Sequence, residues 1–219
     1  MASSLARRKT SSRKSNTRFR KTAESFTPGA KTLARKYFTS EETFSREVNR
    51  IFATQWICVG HQNQVGMEGD YFVEEIAGES LLIVRNHEAG IRAFYNVCRH
   101  RGTRLCEDEG GHLGRAIQCP YHAWTYGLDG RLIGAPHMEG VQGFEKSDYS
   151  LHSLALGLWE GFIFVSLAKR PLPLDRVFAP LAGKFTHWNL PALRSARRII
   201  YEVKANWKLI FENYSECYH

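Results

Sequence analysis

No run of this 219-residue sequence stays apolar for the 18 or so residues a membrane-crossing helix needs; the nearest approach, Leu154 to Leu167, is broken by Gly157, Glu160 and Gly161. A soluble, cytoplasmic chain is the expectation. Cysteine is scarce and odd in number, five residues, and no apolar signal core follows the basic N-terminus. That combination disfavours a disulfide framework and favours metal or redox use. Acidic residues are nearly missing from the first 36 positions, where 11 Lys and Arg face Glu24 alone, whereas the remainder carries 19 bases and 21 acids. The formal charge of +8 therefore belongs to a tail, and a nucleic-acid-binding domain is not indicated. That tail has too few apolar residues to bury itself and is expected to be disordered over residues 1–28. Its Ser/Arg bias also fits an organellar transit peptide, while Arg7-Arg8 lacks the apolar stretch that twin-arginine export requires.

What is present beyond the tail is ordinary globular material, 43% hydrophobic and 24% charged. Ser40 precedes Glu41 to Trp56, with apolar residues at Phe44, Val48, Ile51, Phe52 and Trp56, which predicts a capped helix. Short β-prone runs then follow to Leu167 (WICVG, YFVEEI, SLLIVR, IRAFYNV, RAIQC, RLIGAP and FIFVSL), separated by turns such as Glu68-Gly69-Asp70, Glu88-Ala89-Gly90 and Asp129-Gly130. An antiparallel all-β module is expected over 56–167, preceded by a helical segment over 29–55. Prolines 171, 173, 180 and 191 punctuate a connector. A strand is expected over Arg197 to Lys204 and a final helix from Asn206. No internal repeat is present.

Inside the β module lie Cys98-Arg-His100 and, eighteen residues on, Cys119-Pro-Tyr-His122. Each loop offers one thiolate and one imidazole, and two such loops can grip one centre. Four unrelated turn residues, or a structural Cys₂His₂ zinc site, are the competing readings, although zinc loops usually pair like with like. Cys58, within WICVG, is expected to be a core residue, while Cys106 says little. His61, His87, His112, His137, His152 and His187 receive no role.

The pattern C-x-H, a gap, then C-x-x-H resembles the Rieske iron-sulfur family. The resemblance implies that Cys98 and Cys119 ligate one iron of a [2Fe–2S] cluster and His100 and His122 the other. Exchanging two thiolates for neutral imidazoles removes negative charge and eases reduction. The respiratory branch adds a cysteine to each loop, where this chain has Thr103 and Tyr121, and a serine donor to sulfur, where Trp124 stands; Tyr126 is kept. The resemblance is thus to the oxygenase type, with a potential low in the Rieske range.

The terminal segment, Asn206 to His219, sets Trp207, Ile210, Phe211, Tyr214 and Tyr218 on one helical stripe, with Glu212, Glu216 and His219 opposite. A solvated polar face is one reading. The other comes from resemblance to Rieske non-haem iron oxygenase α subunits, in which an acid bridges two metal centres and an acid-x-x-His pattern starts a 2-His-1-carboxylate Fe(II) site. Carried over, Glu216 is the catalytic bridging acid and His219 an iron ligand, with the other ligands lying beyond residue 219. The chain is then expected to be an N-terminal fragment, inactive alone, with 168–219 opening the catalytic domain.

The expected fold class is α+β: the antiparallel Rieske module followed by the start of an α/β catalytic domain. The implied partners are a reductase or ferredoxin donor, O₂, a small substrate and further α subunits in a trimer, without membrane or specific nucleic acid. The run Glu212 to His219 is similar to the branch that oxidises methylated ammonium compounds, with aromatic rings the alternative substrates. A stand-alone Rieske ferredoxin is the competing function.

Overall fold

The computed structural model describes residues 28, 29, 31–86 and 90–215. The basic tail through residue 27, the Glu88-Ala89 turn, and Glu216, Tyr218 and His219 lie outside the described residues. The chain divides after Arg35. In the first unit, Pro28 and Gly29 form a turn and residues 31–34 have no regular structure.

The second unit opens with a short turn of helix, α1 (Lys36–Thr39), and α2 (Glu41–Glu47). Ser40 Oγ accepts from the Thr43 N–H at 3.3 Å, with Glu41 and Glu42 in the first turn, where the helix dipole favours acids. The expected helix to Trp56 stops short. After α2 the coil widens into a π-turn over Val48–Phe52, closed by Ala53 N–H to Val48 O at 2.9 Å.

Among the described residues ten strands follow, every pair antiparallel: β1 (Ile57–His61), β2 (Asp70–Ile76), β3 (Glu79–Arg85), β4 (Ile91–Tyr95), β5 (Gly110–His112), β6 (Ala116–Gln118), β7 (Thr125–Gly127), β8 (Leu132–Gly134), β9 (Ala155–Trp159) and β10 (Phe162–Ser166). They form three sheets, ordered β1-β10-β9, β4-β3-β2-β5 and β6-β7-β8. All seven β-prone runs became strands. β5, β7 and β9 carry too little side-chain pattern in three to five residues to stand out from sequence.

The middle sheet is covered on both sides, which explains why β3 reads as a continuous apolar run rather than an alternating one. Leu82 and Val84 face a core shared with Ile117, Tyr126 and Leu132 of the small sheet, while Leu81 and Ile83 face a second core with Val59, Ile163 and Val165 of the outer sheet. Burying each such side chain contributes about 1.5–3 kcal/mol.

Two further expectations need correction. Cys58 is exposed: alternation on the edge strand β1 turns Val59 and His61 inward and Cys58 outward. Arg197 to Lys204 forms no strand; Ile199, Ile200, Tyr201 and Val203 are exposed, and an extended segment without a ladder partner is not sheet. The last helix, α4 (Trp207–Ser215), does begin after Asn206, whose Oδ1 accepts from the Lys208 N–H at 3.1 Å. Its apolar stripe, however, is exposed at Ile210, Phe211 and Tyr214.

The first turn of α4 is anchored through Glu47 and Phe52. Lys208 Nζ donates to both Glu47 carboxylate oxygens at 2.7 Å, Trp207 Nε1 donates to Glu47 Oε2 at 2.9 Å, and the Trp207 ring meets Phe52 edge-on at 5.2 Å. The Glu47 and Lys208 side chains are 13% and 12% exposed. Burial pushes the Glu47 carboxyl up, but the Lys208 ammonium and the Trp207 N–H outweigh it and hold Glu47 below its ordinary value. A depressed carboxylate contributes stability above the normal carboxylate range and loses it as pH falls through the lowered folded value.

Lys208→Met leaves the Glu47 charge buried without its partner and is expected to cost about 3 kcal/mol. Hydrogen exchange should report faster opening of α4 in the variant at pH 7. Below about pH 4 the wild-type advantage should shrink, and a constant gap across pH would contradict the assignment.

Candidate metal centre

Two loops with the same internal wiring carry the four candidate donors. In the first, Cys98 N–H bonds Thr103 O at 2.8 Å and Gly102 N–H bonds Cys98 O at 3.0 Å. In the second, Cys119 N–H bonds Trp124 O at 2.8 Å and Ala123 N–H bonds Cys119 O at 3.1 Å. In both, the residue four after the cysteine is left-handed: Gly102 at φ 76 and Ala123 at φ 56. Glycine takes that conformation freely; at Ala123 the fold imposes it against a steric cost of about 1–2 kcal/mol. The repeat explains why each loop turns back within five residues and aims its thiol and imidazole the same way.

The donors meet as two like pairs. Cys98 and Cys119 are buried, at 2% and 3% exposure, and their thiols are within hydrogen-bonding reach of each other. His100 and His122 are half-buried at the rim, with ring centroids 4.8 Å apart. Among the described residues no three His, Cys, Asp or Glu side chains converge as one ion would need. A pair of thiols inside and a pair of imidazoles outside could hold a two-iron cluster, each pair serving one iron; a single tetrahedral zinc would gather all four.

The surroundings restrict each donor. Tyr126, fully buried on β7, accepts from the Arg99 N–H at 3.0 Å and lies 3.2 Å from Cys98 Sγ. Either group can donate in that contact; with Cys98 as a thiolate ligand the sulfur has no proton, and the Tyr126 O–H is then the donor. Burial raises the Cys98 thiol despite the opposing contact from Tyr126, and burial with the adjacent Cys98 raises the Tyr126 phenol. Burial, then His122 and Arg101, hold His100 below the usual imidazole value. Trp124 stacks on His100 at 4.7 Å and 9°, backed by Phe144 and Tyr149, while exposed Tyr121 lies against His122 at 3.7 Å. Trp124 is thus a ring that wedges the histidine from one side.

Sequence reading missed Asn96. Buried at 3% exposure, it accepts from the Leu105 and Cys106 N–H groups at 3.2 and 2.9 Å through Oδ1, and donates through Nδ2 to Cys106 O at 2.7 Å and Ser80 Oγ at 3.2 Å. It ties the stretch leaving the first loop to β3 and β4, and an asparagine between two strands carries no local signal for that. Cys106 is buried beside it, its thiol pushed up to about 11 by burial and then by Asp108, which sets it apart as a core residue. His61 is a buried structural histidine between Asn63 Oδ1 and Leu190 O, each at 3.1 Å, and His112 pairs with Asp70 at 2.9 Å. Glu216 and His219, the other two predicted site residues, lie outside the described residues.

Two family patterns match the chain: the Rieske [2Fe-2S] domain over residues 55–145 and the ring hydroxylating alpha subunit catalytic domain over residues 190–219. Similar curated proteins include the carnitine monooxygenase oxygenase subunit of Acinetobacter baumannii, 36% identical across 86% of this chain and 51% of the relative. The glycine betaine monooxygenase oxygenase subunit of Chromohalobacter salexigens is 36% identical across 87% of this chain and 42% of its own length. The chain therefore spans about half the length of the curated relatives it matches. A crystal structure of a quaternary ammonium Rieske monooxygenase in complex with L-carnitine superposes with a TM-score of 0.80 at 36% identity, covering 86% of this chain and 54% of that one.

Asn96→Ala strands two buried amides and is expected to cost about 2–4 kcal/mol. Denaturant unfolding should show the loss, and iron and sulfide content after reconstitution should fall with it, although Asn96 offers no ligand. Unchanged stability would show that water or a neighbour satisfies those amides.

Proposed function

The chain belongs to the Rieske oxygenase α-subunit family, and from that premise we propose that Cys98, Cys119, His100 and His122 hold its [2Fe–2S] cluster and serve electron delivery to a mononuclear iron for O₂-dependent oxidation of a methylated ammonium compound. The observation that carries the reading is the pair of identically closed loops presenting two buried thiols and two rim imidazoles beneath one phenol. When bound, the cluster supplies reversible one-electron storage.

The protein groups divide the work. Cys98 and Cys119, away from solvent, would hold the inner iron, while half-exposed His100 and His122 would hold the outer one and give electrons a short route to the surface. The second ring nitrogen of His122 must place its proton on an acceptor, as ligating imidazoles do. Glu216 of a neighbouring subunit is the proposed acceptor and His219 the first ligand of the mononuclear iron; a trimeric assembly and a reductase or ferredoxin donor complete the scheme. The substrate class rests on the relatives named for carnitine and glycine betaine, and on the run Glu212 to His219. The proposed division of the chain is a basic tail to 28, a helical segment to 55, the Rieske module to 167, and the opening of the catalytic domain thereafter.

Reconstituted with iron and sulfide, the chain is expected to show a Rieske-type paramagnetic spectrum when reduced. Cys98→Ser, Cys119→Ser and His122→Ala should each abolish it, whereas Cys58→Ser, altering an exposed thiol, should not. Stoichiometric zinc without labile sulfide would refute the cluster.

For the oxidation itself, the intact gene product with a reductase should consume O₂ and convert L-carnitine or glycine betaine in preference to benzene or naphthalene. Conversion of the aromatic compounds alone would overturn the substrate class. A loaded cluster with no oxygenation of either class would favour a pure electron carrier.

A further inference from the structure

Resting on the ligand assignment above, we propose that Arg99 and His152 form a clasp that positions the Tyr126 hydroxyl against Cys98 Sγ and thereby sets how readily the site accepts an electron. Arg99 stands between the two donors of the first loop. Its guanidinium has donors only, so the 2.9 Å contact from Nη1 to His152 Nε2 requires a lone pair on that ring nitrogen and places the proton of a neutral ring on Nδ1. The other terminal nitrogen, Nη2, reaches Asp148 O at 3.4 Å.

The far side of the clasp is fixed. His152 O accepts from the Tyr95 N–H at 3.0 Å, Ser153 bridges Phe94, Leu154 N–H bonds Ala93 O at 2.9 Å, and Leu151 N–H bonds Gly130 O at 2.8 Å. The segment holding His152 is therefore sewn to β4, the strand that leads into the first loop. At the other end, the backbone N–H of the same Arg99 donates to Tyr126 Oη and holds the phenol 3.2 Å from Cys98 Sγ, where a ligating thiolate can only accept the phenol proton. Side chain and backbone of one residue thus join the clasp to the sulfur.

A hydrogen bond to sulfur favours the reduced, more negative state, so its alignment bears on the reduction equilibrium. An Arg–His contact at the surface contributes little to folding. Its effect belongs in the potential, which makes Arg99 and His152 positioning residues.

The test compares cluster-loaded wild-type chain with His152→Ala and His152→Gln. The alanine variant should shift the reduction equilibrium toward the oxidised form by up to about tenfold, about 59 mV for one electron. It should also raise amide hydrogen exchange in the 98–103 loop while leaving the melting temperature nearly unchanged. The glutamine variant, whose side-chain oxygen still accepts from Arg99, should stay near wild type in both readouts. Should the alanine variant fail to fold, His152→Leu keeps the bulk but removes the acceptor for Arg99 without adding charge, and should give the same lowered potential. Wild-type potential and exchange in His152→Ala or His152→Leu would overturn the clasp. A wild-type chain that binds no cluster would instead refute the ligand assignment on which the clasp rests, and the two failures are separable.

Discussion

The centre depends on one constraint, that two loops twenty-one positions apart at their cysteines must present their donors to the same volume. Backbone closure satisfies it twice over. Each cysteine N–H and C=O is used within its own loop, so the chain reverses in five residues and the side chains leave on the same side. The left-handed residue at the fourth position is the hinge of that reversal, free at Gly102 and strained at Ala123. Such strain persists because the small sheet, with Ile117 and Tyr126 fully buried, fixes both flanks of the second loop.

Given those closures, the polar groups around the site are matched one to one. Tyr126 accepts a hydrogen bond from the Arg99 N–H and contacts Cys98 Sγ; Asn96 covers two amides and one carbonyl that a buried loop exit would otherwise leave unpaired. Among the described residues no buried side-chain nitrogen or oxygen lacks a partner. Rigidity at the sulfurs, where an added electron is felt, follows from this matching, and the aromatic rings of Trp124, Phe144 and Tyr149 extend it to His100.

The β module and the C-terminal segment contrast in how they are held. The module encloses two cores on either side of one sheet. The 193–204 segment and the outer face of α4 instead leave Ile199, Ile200, Tyr201, Phe211 and Tyr214 in solvent, with α4 attached by Glu47, Lys208 and Trp207. The amphipathic pattern located the helix but did not settle burial: periodicity says which side chains share a face, and only a packed neighbour buries them.

From the sequence alone, the donor set was legible, because C-x-H and C-x-x-H put two chemically unlike ligands on each of two short loops and few other folds need that. So were the β character of 56–167, through β-branched runs between turns, and the capped starts of the two principal helices. Three-dimensional packing decided the rest. Cys58 lies outside because alternation along β1 turns it to the face that no core covers; Asn96, Arg99 and His152 matter because β3, β4 and the 148–154 segment meet at the first loop; and thiols and imidazoles sort into inner and outer pairs because two loops of equal wiring face each other. Each of these is a long-range pairing, and spacing along a chain records which groups are available, whereas their partners across the fold are set by sheet register and by which face is covered.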